Sequence, residues 1–164
     1  VTRVGPGEDR RRAAARPARP ADLPALLALF AASEVSAAAP GARAERLWRE
    51  SLAHPGVAIF VSDADTGGAL AATCMLVTAP NLLRGGRAHG FLENVVTHPD
   101  HRGRGHGKAV VRAALAQAWA SGCHHVLMQS GRADPRVHTF YEGMGFVPGR
   151  RTAYVAARPG DPDI

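Results

Sequence analysis

A chain of 164 residues, 46% of them hydrophobic, is long enough to bury a core of its own without disulfide or metal staples. It has no run of about eighteen apolar residues and no apolar signal-peptide core near its start, which excludes a membrane span and predicts a soluble cytoplasmic protein. The formal charge of +6 is concentrated in residues 1–19, where six arginines against Glu8 and Asp9 leave +4; with only 5% aromatic residues, nothing points to nucleic acid as a partner.

Residues 1–9, with Gly5, Pro6 and Gly7, read as a flexible arm ahead of one domain over 10–158, with 159–164 as a tail. Residues 10–16 carry weak strand character. From Pro20 the pattern is helical: proline suits a first helical position, Asp22 suits the positive first turn, and Leu23, Leu26, Leu27 and Phe30 recur on one face. After a small-residue loop, a second helix is predicted from Arg43 to Ala53, with Leu47, Trp48 and Leu52 on one side and His54-Pro55-Gly56 as its stop. Val57 to Ser62 alternates as a strand, Asp65-Thr66-Gly67-Gly68 makes a hairpin turn, and Ala69 to Thr78 returns. The loop Ala79 to Gly90 that follows holds Asn81, Arg84, Arg87 and His89.

Residues 91–97 are apolar and β-branched around one acid, Glu93, and suit a buried strand. From Ala109 to Ser121 the period is helical again, through Val111, Leu115 and Ala118. Between them Gly103, Gly105 and Gly107 alternate with Arg102, Arg104 and His106. Removing side chains where a helix begins leaves its first N–H groups open to an anion, and the arginines add charged donors. Gly122 stops this helix, and His124 to Gln129 forms the next strand, parallel to 91–97 through a right-handed crossover. Asp134-Pro135 then supplies a cap and first helical position for a helix through Val137, Phe140, Tyr141 and Met144, closed by Gly145. Arg151 to Ala157 is predicted as a final strand. Cys74 and Cys123 lie in apolar strand contexts and read as buried free thiols. His98, His101, His106, His124 and His125 straddle a strand end, a loop and another strand, so no metal site is expected.

The glycine-rich turn fits neither common nucleotide loop. A Walker A motif would need glycine at Arg102 and a hydroxyl at Ala109. A dinucleotide fingerprint would need a different glycine spacing and an acid near residues 123–129. It does fit Arg/Gln-x-x-Gly-x-Gly/Ala through Arg102, Gly105 and Gly107. About forty residues on stands Phe140-Tyr141-Glu142-Gly143-Met144-Gly145-Phe146. In these two motifs, in this order and separation, the chain resembles the GNAT superfamily of N-acetyltransferases, clearly from about Leu70 to Val155 and more weakly back to Arg16.

The resemblance implies an α/β GNAT (acyl-CoA N-acyltransferase) fold: a central mixed, mostly antiparallel sheet with a splayed parallel pair, helices on both faces, and residues 10–16 as its first strand. It implies acetyl-CoA as cosubstrate, without a metal. Its pyrophosphate would rest on Arg102, Gly103, Arg104, Gly105, His106, Gly107 and Lys108, and its pantetheine arm on the edge Val95, Val96 and Thr97, where an N–H would polarise the thioester oxygen. Tyr141 matches the tyrosine that protonates the departing sulfur, against the alternative of a core aromatic. Glu93, expected to be partly buried, is the base candidate, against the alternative of a structural ion pair. Leu92-Glu93-Asn94-Val95 resembles the strand of glucosamine-phosphate acetyltransferases, with Asn94 in place of a second acid. Arg84, Arg87 and Asn94 would meet the acceptor, a small-molecule primary amine. A non-catalytic acetyl-CoA sensor and an enzyme acting on a peptide or protein amine are the alternatives, and a homodimer is compatible with these features.

Overall fold

The computed structural model describes residues 13–33, 35–65, 67–156 and 158–160. The expected arm at 1–9, the first residues of the expected first strand, Thr66 of the hairpin turn, Ala157 and the last residues of the tail lie outside these. The chain divides into two compact units between Met128 and Gln129.

In the first unit, the described residues form one five-stranded sheet in the order β1 (Arg16–Pro17), β2 (Val57–Asp63), β3 (Leu70–Ala79), β4 (His89–Thr97) and β5 (His125–Met128). All neighbours are antiparallel except β4 and β5, which run parallel. The intervening crossover helix is α3 (His106–Ala120), while α1 (Leu23–Ala31) and α2 (Gly41–Ala53) precede β2. Among the described residues no helix is long and apolar enough to cross a membrane.

Strand alternation divides the core between the two sheet faces. Val61 packs with Leu26, Leu29, Trp48, Leu70 and Val96 under α1 and α2, each such fully buried side chain contributing about 1.5–3 kcal/mol. The Trp48 indole N–H donates to the Pro20 carbonyl at 3.1 Å, so its polar edge is satisfied as its ring is buried. On the other face, the Cys74 thiol donates to the Val110 carbonyl of α3 at 3.2 Å. Burial pushes that thiol up to about 12 and raises Cys123 as well. Both cysteines are free and buried, as their contexts predict.

β1 is held by charge rather than by length. The Arg16 guanidinium reaches both Asp22 oxygens, at 2.8 and 2.9 Å, and both Asp63 oxygens, at 2.7 and 2.9 Å. These contacts raise the Arg16 pKa and hold the Asp22 carboxyl below its ordinary value. The expected strand over 10–16 is thus a two-residue pairing, Arg16–Pro17, within the described residues.

α3 ends in a Schellman motif. Gly122, at φ 73°, lets its own N–H reach Trp119 and the Cys123 N–H reach Ala118, both at 3.0 Å.

The second unit holds α4 (Pro135–Glu142), whose N-cap Asp134 accepts from the Arg136 N–H at 2.9 Å. Its end is also a Schellman motif: Gly145 at φ 91° donates to Glu142, and Phe146 to Tyr141. The predicted strand over 151–157 is a correction, because residues 151–156 adopt no strand. Tyr154 is 89% and Val155 65% exposed, so the two large β-formers of that run have no apolar surface to cover.

Candidate active site

The sheet is interrupted where the expected site residues fall. β4 is in register with β5 from His89 opposite His125 to Leu92 opposite Met128, and the pairing then stops. From Glu93 to Thr97 that edge of β4 has no strand partner among the described residues. On its other side β4 stays paired with β3, but the register slips: Met75 faces Glu93 and Thr73 faces Val96, so Cys74 opposes both Asn94 and Val95.

This is a β-bulge on β4, and Asn94 is the residue that makes it possible. Its φ of 50° is in the left-handed region, which asparagine tolerates better than most side chains. The extra residue re-aims the strand. Glu93 pairs with Met75, and Met75 with Ile59, which packs on the α1 and α2 face. Val96 also reaches that face, although three positions separate it from Glu93. Val95 and Thr97 are half-buried beside it. A bulge that ends a ladder beside an open edge frees backbone N–H and C=O groups for an extended, amide-bearing ligand.

Glu93 itself is exposed, which corrects the expectation of partial burial: strand alternation puts it on the same side of β4 as the exposed Phe91 and opposite the buried Leu92. Among the described residues it forms no ion pair.

Beyond Thr97 the chain makes a 3₁₀ turn, Pro99–His101, and enters the glycine-rich loop. Gly103 has φ 76° and Gly105 φ 93°. A Cβ at Gly103 would meet nothing within 4 Å, so glycine is favoured here by backbone conformation and not by crowding, and there is open space in front of it. Gly105 is the N-cap of α3, and the first intrahelical bond runs from Ala109 to Gly105 at 2.9 Å. The N–H groups of His106, Gly107 and Lys108 precede that bond and so belong to the open first turn. Arg102, Arg104 and Lys108 are exposed around them and make no ion pair among the described residues. Positive side chains, unbonded N–H groups and the helix dipole all favour an anion here.

Two members of this loop behave differently from the expectation of an open cradle. Gly107 is buried in the first turn of α3. The His106 side chain turns inward, 4% exposed, with Nδ1 2.8 Å from the Ser62 hydroxyl oxygen. Ser62 donates to the Ala14 carbonyl at 2.6 Å, so its oxygen accepts from a protonated His106 Nδ1. Burial, then the neighbouring His101, hold the His106 pKa down. Its ring fastens α3 to β2, so His106 offers a ligand its backbone alone; nothing in the sequence separates this inward histidine from its exposed neighbours.

The loop before β4 stands at the opposite end of that strand. Asn81 accepts from the Leu83 N–H at 3.2 Å and donates to the Leu83 carbonyl at 3.0 Å and the Arg87 carbonyl at 3.4 Å, bracing a 3₁₀ turn over Arg84–Gly86. Arg84 and Arg87 are exposed. The bulge thus lies between an arginine-bearing loop at the start of β4 and the glycine-rich loop after its end.

In the second unit, Tyr141 is half-buried on α4, its ring 5.0 Å from Phe140 and 5.7 Å from Phe146. The contact with Phe146 is the apolar pairing that accompanies a Schellman motif. The spacing of Tyr141, Gly145 and Phe146 is therefore what closing this helix demands.

Comparison with known proteins agrees with this architecture. A solved chain from Agrobacterium tumefaciens str. C58, named "Putative acetyltransferase", is 39% identical with a TM-score of 0.77, over 88% of this chain and 99% of that one. The glucosamine-6-phosphate N-acetyltransferase structure from Arabidopsis thaliana shares the fold at 22% identity, with a TM-score of 0.76 over 91% of this chain and 99% of that one. Glucosamine 6-phosphate N-acetyltransferase of Trypanosoma brucei brucei is 35% identical over 79 residues, 48% of this chain and 52% of the relative. This chain spans about half the length of the curated relatives it matches. Residues 23–146 match the Acetyltransferase (GNAT) family, and with the bulged, half-open β4 and the glycine-led α3 that follows it, the chain belongs to that family of acyltransferases.

Proposed function

We propose that this protein is an N-acetyltransferase that moves the acetyl group of acetyl-CoA by direct transfer to the primary amine of a small molecule. The observation that carries this reading is the continuity of one binding edge. The unpaired side of β4 from Glu93 to Thr97 leads through a single 3₁₀ turn into the open N–H groups of Gly103 to Lys108. An amide-rich arm ending in a pyrophosphate needs these two features in this order.

In this reading the cosubstrate supplies an activated acetyl thioester. Gly103 and Gly105 let backbone donors approach the pyrophosphate, with Arg102, Arg104 and Lys108 adding charge. Val95, Val96 and Thr97 hold the pantetheine amides, and an N–H at the bulge polarises the thioester carbonyl. Glu93 accepts the proton released by the amine, and the Tyr141 hydroxyl gives a proton to the departing sulfur, a transfer for which a phenol is a serviceable acid.

Arg84 and Arg87 favour an acceptor that carries an anionic group, since no acid lies between Asn81 and Gly90 to offset them. The relatives named for glucosamine 6-phosphate make a phosphorylated amino sugar the first acceptor to try. Asn94 is offered to the acceptor in place of a second acid.

The test is acceptor-dependent thiol release from acetyl-CoA with paired phosphorylated and neutral amines. The expected result is saturable transfer that favours the phosphorylated member and loses that preference in Arg84→Ala/Arg87→Ala. Coenzyme binding with no acceptor-dependent release across the panel would replace the enzyme by a sensor.

A further inference from the structure

Three histidines meet at the closed end of the parallel pair. His89 opens β4 and His125 opens β5, and the two are register partners. His124, just before β5, is fixed by its N–H donating to the Ala88 carbonyl at 3.0 Å. The ring centroids of His89 lie 4.6 Å from His124 and 5.0 Å from His125, and those of His124 and His125 are 3.9 Å apart. One ring nitrogen from each falls within 4.8 Å of the other two, and all three side chains are half-buried. The Nδ1 atoms of His124 and His125 are 2.7 Å apart. The His124 Nε2 is shielded from solvent and has no hydrogen-bond partner among the described residues, a state that buried polar atoms ordinarily avoid.

Sequence spacing weighed His124 and His125 without His89, because the third ring comes from a strand 35 positions earlier and only the parallel register brings it in. Arg84 and Arg87, in the loop that leads into β4, are the cations whose charge acts on His124. The same arginines oppose a cation, but both are exposed and their fields are screened by solvent.

We propose that His89, His124 and His125 form a site for one borderline divalent transition-metal ion, Zn²⁺ fitting best, with an outer coordination position left open. Three neutral imidazoles and no carboxylate suit zinc, nickel or copper and do not suit magnesium or calcium. Metal–nitrogen bonds of about 2.0–2.1 Å require the three nitrogens to close together from their present spacing, which ring rotations supply. The site stands four residues before Glu93, roughly 13 Å along the strand. An ion there clamps the paired ends of β4 and β5 and leaves the open edge untouched, so this assignment is independent of the acetyl-transfer reading.

The experiment is calorimetric titration of the untagged full chain with Zn²⁺, alongside His89→Gln, His124→Gln and, as a control from the other histidine group, His98→Gln. One ion per chain is expected. Loss of a direct ligand should weaken it at least as much as the roughly ten- to hundredfold typical of an outer-shell partner, with His98→Gln unchanged. Should either ligand variant fail to fold, histidine-ring NMR of the wild-type chain reads the same site: resonances of His89, His124 and His125 should move on Zn²⁺ addition. No Zn²⁺ uptake, unchanged affinity in both ligand variants, or movement of His98, His101 and His106 instead would overturn the proposal. Uptake of inorganic phosphate in place of Zn²⁺, abolished by His89→Gln, would also overturn it by assigning the cluster to anions.

Discussion

The two halves of β4 run on in one strand and do opposite things. From His89 to Leu92 the strand is laddered on both sides, to β3 and to β5. From Glu93 to Thr97 it is laddered, among the described residues, to β3 alone, and there the ladder slips by one residue at Asn94. The closed half makes the sheet continuous. The open half presents backbone polar groups that a folded sheet would normally pair, and pairing withheld beside a helix N-terminus is a binding feature.

The largest expected effect lies in the chemistry proposed for Tyr141. Tyr141→Phe keeps the ring contacts with Phe140 and Phe146, so coenzyme affinity should hold while turnover falls by roughly 10²-fold or more. Steady-state kinetics with calorimetry checks this; a wild-type rate would return Tyr141 to a packing role.

Next is the anion end. Gly107 is buried, so a bulky acid there would confound folding with binding. Gly103 is the cleaner probe, because aspartate accepts a positive φ and meets open space. A unit charge about 4 Å from a phosphate opposes it by up to roughly 4 kcal/mol at an effective dielectric of 20, so coenzyme should bind at least about tenfold more weakly to Gly103→Asp, and less so at high salt. Unchanged affinity in the folded variant would place the pyrophosphate elsewhere.

The bulge can be tested through Asn94. Its side chain is exposed, so little packing is lost on substitution. Asn94→Val forces a β-branched residue to φ 50° and should cost about 1–3 kcal/mol, whereas Asn94→Gly should be near neutral. Equal unfolding midpoints for the two would mean that the bulge is not held by this residue.

Smallest is the pH response of the framework. His106 has a depressed pKa, so the unfolded chain binds its proton more readily. Stability should be full above the ordinary value of about 6.5, decline as pH falls below it, and do so less in His106→Gln. Asp22 is also depressed; its contribution is present above about 4 and lost as pH falls through its lower folded value. Asp22→Asn should remove that second decline in urea titrations across pH.

What the sequence disclosed follows from range. The hairpin of β2 and β3, the stop at Gly122 and the cap at Asp134 are local devices, and each was readable from a few adjacent residues. The family motifs located the glycine loop and Tyr141 because their spacing reflects local needs: a glycine N-cap for α3, a Schellman turn for α4. The bulge was not readable, since Asn94-Val95-Val96 looks like uninterrupted strand until β3 is laid beside it. Glu93 was expected to be partly buried because its neighbours in sequence are apolar, but its face of the strand depends on what packs there. The inward turn of His106 depends on a contact across 44 positions, and the meeting of His89 with His124 and His125 on contacts across 35 and 36, which no local pattern records.

The central claim is that coenzyme binds along the open half of β4 and into the glycine loop. Backbone amide NMR during titration with coenzyme A tests it most directly. The account predicts progressive shifts at Val95 to Thr97 and Gly103 to Lys108, with His89 to Leu92 nearly still. Shifts centred on His89 to Leu92, or none at Gly103 to Lys108 at saturation, would contradict it.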